Sequence, residues 1–227
     1  MIQREHIGTA QVPDGAELKL YRHDRDFMIV LGHNELMSSR MSGSEVALAV
    51  ESLARLGGKK DAKLLIGGYG MGFTLRAALA ALGPQAEIMV AELVPEIIEW
   101  ARGPMADLAA GCLDDRRVTL RMGDVSDAIA MARREMPGGY DAILLDVDNG
   151  PDGLVRYENG RIYSSRGLRA ARDALAPGGV LAVWSAAPDP RFTRRLEEAG
   201  FAVEEIVVRA RTNGKGPRHL IWFARPD

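Results

Sequence analysis

The 227-residue chain has a single cysteine, Cys112. That excludes an intrachain disulfide and a cysteine-rich zinc site. Its four histidines, His6, His23, His33 and His219, lack the spacing of metal ligands, so no metal is expected. Neither sign of charge is in excess: 29 Lys and Arg against 31 Asp and Glu leave a formal net charge of −2. This balance carries no electrostatic footprint for nucleic acid or for an anionic membrane. Arg209, Arg211, Lys215 and Arg218 read as a solvated loop rather than a nucleic-acid patch. No apolar run approaches the length of a bilayer span, and no apolar stretch follows Met1–His6. Neither a membrane partner nor a secretory signal is therefore expected, and the expected location is cytoplasmic. A G-x-S-x-G elbow is missing, which counts against a serine hydrolase. Internal repeats and low-complexity segments are also missing. What remains, 47% hydrophobic and 26% charged residues, is the composition of an ordinary globular protein.

Two regions differ in pattern. Residues 1–42 read as a small antiparallel β-unit, with strands at Glu17–Arg22 and Asp26–Leu31 and a third near Glu35–Ser39. The remainder, 43–227, reads as an α/β domain. Ser42, with Glu45 three residues later, signals a helix start, and Gly57-Gly58 its stop. Strands are then expected at Lys63–Ile66, Glu87–Glu92, Val118–Arg121, Tyr140–Leu145 and Val180–Ser185. Helices are expected at Phe73–Leu82, from Pro95, near Val125–Arg134, at Ser165–Leu175 and at Pro190–Ala199, with a turn at Pro177-Gly178-Gly179. Phe201–Val208 and His219–Ala224 close the chain as a hairpin. The pattern predicts a mostly parallel sheet with one antiparallel strand.

The first strand of the α/β region runs into Gly67-Gly68-Tyr69-Gly70-Met71-Gly72 and then a helix. Such glycines serve either a tight strand-to-helix turn or the close approach of a ligand to the backbone. A dinucleotide fingerprint begun at Gly68 needs Gly or Ala at position 73, which is Phe73. Glu92 ends the second strand about 20 residues later, where a carboxylate accepts from both hydroxyls of a ribose. The combination points to an S-adenosyl donor more than to a nicotinamide cofactor. Asp124, after the third strand, either borders the adenine of such a donor or caps the next helix.

Leu144-Leu145-Asp146-Val147-Asp148-Asn149-Gly150-Pro151-Asp152 brings three acids to the end of a buried strand. They form either an acidic turn or a group that binds an amine acceptor and takes its proton. Asp146 and Asp148 are the candidate catalytic residues, and Asp152 a substrate-binding one. Trp184, at the end of the fifth strand, is the tryptophan most apt for an acceptor site; Trp100 and Trp222 read as core.

On these motifs, residues from about Lys63 to Gly179 resemble the spermidine synthase family, a branch of the class I S-adenosylmethionine-dependent methyltransferase superfamily. The matching features are Leu65-Ile66-Gly67-Gly68, Glu92, Gly123-Asp124, Tyr140-Asp141 leading to Asp146, Ile162-Tyr163-Ser164 and Leu175-Ala176-Pro177-Gly178-Gly179. The resemblance implies a Rossmann-like α/β sandwich with a small N-terminal β-unit, and dimers. It places Gly67, Gly68, Gly70, Gly72, Glu92 and Asp124 at the donor, Asp146 as base, and Tyr163 beside the acceptor.

The chain departs from the family pattern in three places. The family's loop carries Asp where this chain has Gly70. The second Asp of its acidic segment falls on Asn149, beside Asp148. Its Tyr-His-Glu segment has only Gly43-Ser44-Glu45 as counterpart. An acid at position 70 would attract the amine tail of decarboxylated S-adenosylmethionine and repel the carboxylate of the ordinary form. With Gly70 in its place, the expectation is methyl transfer from S-adenosylmethionine to a small acceptor. The alternatives are aminopropyl transfer from the decarboxylated donor and a non-catalytic S-adenosyl-binding module.

Overall fold

The computed structural model describes residues 4–13, 15–32, 34–147, 150–151 and 160–227. Four N-terminal strands, β1 (Glu5–Gln11), β2 (Glu17–His23), β3 (Asp26–Leu31) and β4 (Asn34–Ser38), pair in chain order as an antiparallel sheet. β1 was not among the expected strands. Gly8 interrupts its alternation, and its register on β2 shifts between His6 and Gly8. A side chain at Gly8 would meet Trp100, since an added Cβ would lie 2.8 Å from the indole Nε1. The weak strand signal therefore comes from a close contact with a residue far along the chain.

The rest of the chain alternates: α1 (Gly43–Arg55), β5 (Lys63–Gly67), α2 (Phe73–Ala81), β6 (Glu87–Glu92), α3 (Pro95–Arg102), α4 (Ala106–Ala109), β7 (Val118–Met122), α5 (Val125–Glu135), β8 (Tyr140–Leu145), α6 (Ser165–Ala174), β9 (Leu175–Ser185), α7 (Pro190–Glu198), β10 (Phe201–Arg209) and β11 (Arg218–Pro226). Seven strands form one sheet in the order β10-β11-β9-β8-β5-β6-β7. β5 runs parallel to both β6 and β8, and β11 lies antiparallel between β9 and β10. The expected turn at Pro177-Gly178-Gly179 lies inside β9. The pairing of β9 with β8 slips there, and Gly178 takes a positive φ of 77°.

The sheet is covered on both faces, so its central strands are apolar throughout; every residue of β8 is buried. Alternation divides them between two cores. Leu64, Ile66, Val90 and Leu144 pack toward α1, α2, α3 and the N-terminal sheet. Leu65, Ile143, Leu145 and Val183 pack toward α5, α6 and α7 through Ile129, Leu168, Phe192 and Leu196. Asp141 serves the fold at the opposite end from the acidic segment. Its carboxylate accepts from Lys59 Nζ at 2.9 Å and from the backbone N–H of Lys63 at 2.8 Å, tying the loop before β5 to β8. Among the described residues, no helix is long and apolar enough to cross a membrane.

The strand order reverses at β5. The chain steps outward through β6 and β7, then returns to place β8 on the other side of β5. Open α/β sheets bind ligands at the carboxyl ends of the strands at such a point. That is where the glycine loop and Asp146 emerge.

Candidate active site

The glycine loop is held by continuing the ladder past the strand ends. Gly68 N–H donates to Ala91 O at 2.9 Å, and Asp146 N–H to Gly67 O at 3.0 Å. Gly68 has φ 84°, and an added Cβ would come 2.5 Å from the Asp146 carbonyl oxygen. Both the positive φ and the close backbone require glycine there. Gly67 and Gly72 belong to the packing around the loop, against Val125 and Tyr69 respectively.

Gly68 and Gly70 form part of the floor of a cleft with about 1040 Å³ of empty space, part of it open to solvent. Glu92, Asp124 and Asp146 line the same floor, and the N-terminal sheet supplies an apolar roof of Val12, Leu18, Ile29, Leu36 and Met37. Glu92 is only 7% exposed. Its Oε2 accepts from Tyr69 N–H at 2.8 Å and its Oε1 from Val94 N–H at 2.9 Å. Burial raises its pKa, and these backbone N–H groups oppose the rise. Asp124 caps α5, accepting from Ser126 N–H at 2.8 Å, and lines the cleft as well. The two readings of that residue are geometrically compatible.

At the other end of the cleft lies a pair of acids. Asp146 Oδ2 accepts from Thr74 Oγ1 at 2.9 Å. Burial pushes its pKa up to about 6, against the pull of Thr74. Beside it Glu45, 6% exposed, is pushed up to about 8, first by burial and then by the charge of Asp146. Two carboxylates in one apolar cleft resist double ionisation, so near neutrality the pair holds a proton. Trp184 closes this end, 7% exposed, with its Nε1 lacking a hydrogen-bond partner.

Glu45 was not among the expected site residues, although it stands where the family's Tyr-His-Glu segment ends in Glu. Its sequence signal reads as a helix start and as a departure from the family pattern. In the structure Ser42 makes no side-chain cap, and Glu45 lines the cleft instead. Tyr163 lies outside the cleft. It is buried against Phe192 at a ring distance of 5.5 Å, with its hydroxyl donating to Val147 O at 3.1 Å. Asp148 and Asp152 fall outside the described residues.

The acid pair makes stability pH-dependent. Folding raises both carboxylate pKa values, Glu45 from 4.5 to about 8 and Asp146 from 3.8 to about 6. The folded state therefore binds more protons than the unfolded chain, and the associated stability, complete at low pH, declines as pH rises through the folded values. Thermal melts of the unliganded protein should show this decline, and Glu45→Gln should flatten most of it. A decline just as steep in the variant would place the buried proton elsewhere.

A seven-stranded sheet of this order, with its ligand cleft at the reversal point, defines the class I S-adenosylmethionine-dependent methyltransferase-like fold. Within that class the chain has the fold of spermidine synthases, and its sequence is similar to polyamine aminopropyltransferases. Spermidine synthase from Thermotoga maritima superposes on 96% of this chain and 72% of its own, with a TM-score of 0.72 and 19% identity. A polyamine aminopropyltransferase of Mycobacterium tuberculosis is 34% identical over 157 residues, which are 66% of this chain and 29% of that protein. The chain thus matches under a third of that relative's length. A ribosomal RNA small subunit methyltransferase H of Halorhodospira halophila is 28% identical over 184 residues, 77% of this chain and 54% of that protein. No family model matches.

These findings correct the expectation of methyl transfer. The stronger sequence similarity is to aminopropyltransferases, and the fold match is to spermidine synthases. The argument from Gly70 fails because position 70 does not by itself set the acidity of the cleft, which Glu45 and Asp146 also line. An added Cβ at Gly70 would meet only the flexible end of Met37, 2.8 Å from Cε and 3.0 Å from Sδ. The cleft still has a second acid, contributed by Glu45.

Proposed function

We propose that the chain is an aminopropyltransferase, moving an aminopropyl group from decarboxylated S-adenosylmethionine to a small amine acceptor. The observation that carries this reading is the acid pair of buried Glu45 and half-buried Asp146 at one end of the cleft, with Glu92 and Asp124 toward the other. A cleft with acids and an apolar roof favours a cationic amine and disfavours the carboxylate of ordinary S-adenosylmethionine. Glu92 and Asp124 hold the ribose and adenine of the donor. Asp146 orients the acceptor and takes its proton, since a protonated amine has no lone pair for displacement at a sulfonium-bound carbon. Alignment and removal of water do the rest.

Competition calorimetry tests the donor. The decarboxylated form should bind about 10-fold or more tightly than ordinary S-adenosylmethionine, equivalent to roughly 1.4 kcal/mol of differential interaction. Equal affinity, or preference for the ordinary donor, would remove the reading. Mass spectrometry of products from a panel of diamines and polyamines then identifies the acceptor.

A further inference from the structure

We propose that His219, acting through Ser44, carries to solvent the proton that the acceptor amine gives to the Glu45–Asp146 pair. The proposal rests on the aminopropyl-transfer reading and adds to it a proton exit.

A continuous chain of hydrogen bonds leads out of the cleft. Ser44 Oγ donates to Glu45 Oε2 at 2.7 Å, and the same Oγ lies 2.8 Å from His219 Nδ1. Ser44 is fully buried and His219 half-buried, so the chain starts at the cleft wall and ends at a side chain that reaches water. Among the described residues, the other polar contact of the pair leads nowhere. Thr74 Oγ1 reaches Asp146 at 2.9 Å and the Glu45 backbone carbonyl at 3.4 Å, and a carbonyl cannot relay a proton. A hydroxyl can donate to one neighbour while accepting from another, and it turns freely about its own bond.

The surroundings of His219 suit a group that is neutral at rest. Burial holds its pKa below the usual histidine value. From α1 the titratable group in line with it is Glu45, through Ser44. From β9 it meets Trp184 edge-on at 4.8 Å, and across β10 its pairing partner is Val208. Arg218 and its cross-strand partner Arg209 fall on the opposite face by strand alternation.

The step balances. The ammonium acceptor loses one proton to the carboxylate pair. Its freed lone pair forms the C–N bond as the C–S bond breaks, and sulfur keeps the electron pair as a neutral thioether. Asp146 takes the acceptor's proton, and Glu45, the protonated member of the pair at rest, gives its own to Ser44 Oγ while the Ser44 proton moves to the unprotonated Nδ1 of His219. The imidazolium releases a proton from Nε2 to water, which leaves one proton on the pair as before. Return of that proton from Asp146 to Glu45, and of the ring to its Nε2–H tautomer, completes the cycle.

A merely structural role, pinning β11 to the first turn of α1, predicts different results. With wild-type protein shown to be active, His219→Gln should lower kcat by about 10-fold near neutral pH, with donor KM unchanged and the deficit shrinking at higher pH. Added imidazole should restore turnover to His219→Ala. Unchanged kcat and pH profile, or a loss that imidazole does not restore, overturns the relay. An activity-independent measurement is nitrogen NMR of the His219 ring, whose titration should shift in Glu45→Gln; an unshifted titration also overturns it. A wild type that transfers nothing to any amine fails the functional reading instead, and the NMR result then tests only the coupling of His219 to Glu45 through Ser44.

Discussion

Replacing Asp146 by Asn is expected to cut turnover by about 10²-fold or more, to leave the melting temperature close to wild type, and to weaken the preference for the decarboxylated donor, because one of the two acids at that end of the cleft is gone. Asparagine keeps the size of the side chain and can still accept from Thr74, whose hydroxyl holds Asp146 Oδ2 at 2.9 Å. It loses charge and basicity. Glu45 complicates the outcome in a useful way. Its pKa is raised partly by the charge of Asp146, so in the variant it ionises more readily and could accept the proton from its own side of the cleft. The combination Asp146→Asn with Glu45→Gln removes both bases. Steady-state kinetics with the accepted amine reads the result. Full turnover in the single variant and collapse in the double would move the base to Glu45. Full turnover in both would remove the pair from the chemistry.

Glu92→Ala should weaken binding of the adenosyl donor by about 1.5–3 kcal/mol, roughly 10- to 150-fold. The structure adds a second expectation. Tyr69 and Val94 both donate backbone N–H bonds to this carboxylate, so alanine leaves two buried donors without an acceptor and lowers the melting temperature as well. Glu92→Gln separates the effects, because its amide oxygen still serves one of the two N–H groups while the charge is gone. Calorimetry on folded protein is the measurement. Donor affinity equal to wild type in both variants would confine Glu92 to holding the loop.

The central sheet was legible because burial on both faces leaves a mark in local sequence. β6 spans Glu87–Glu92 and β8 spans Tyr140–Leu145, as their apolar runs indicate. The glycine loop, Glu92, Asp124 and Asp146 were legible for a related reason: each sits at a strand end whose position follows from the strand. What escaped depends on distant contacts. β1 is blurred by Gly8, which makes room for Trp100. Glu45 carries the same local signal whether it caps a helix or faces a cleft, and only the fold decides between them. The weight of Gly70 depends on Glu45, an acid brought to the same cleft by α1, which a reading of the loop alone does not include.

Met37 of the roof lies over Gly70 of the glycine loop, so the two sheets meet at the cleft. The α/β domain carries the acids, from strand ends and from α1, while the N-terminal sheet supplies the apolar residues above them, so changes in the roof would reshape the cleft without touching the acids. An acid restored at position 70 would push aside only the flexible end of Met37, but it would have to adopt the left-handed backbone of this turn, φ 55°, where glycine is least strained, so the loop's own conformation holds the position more firmly than the roof does.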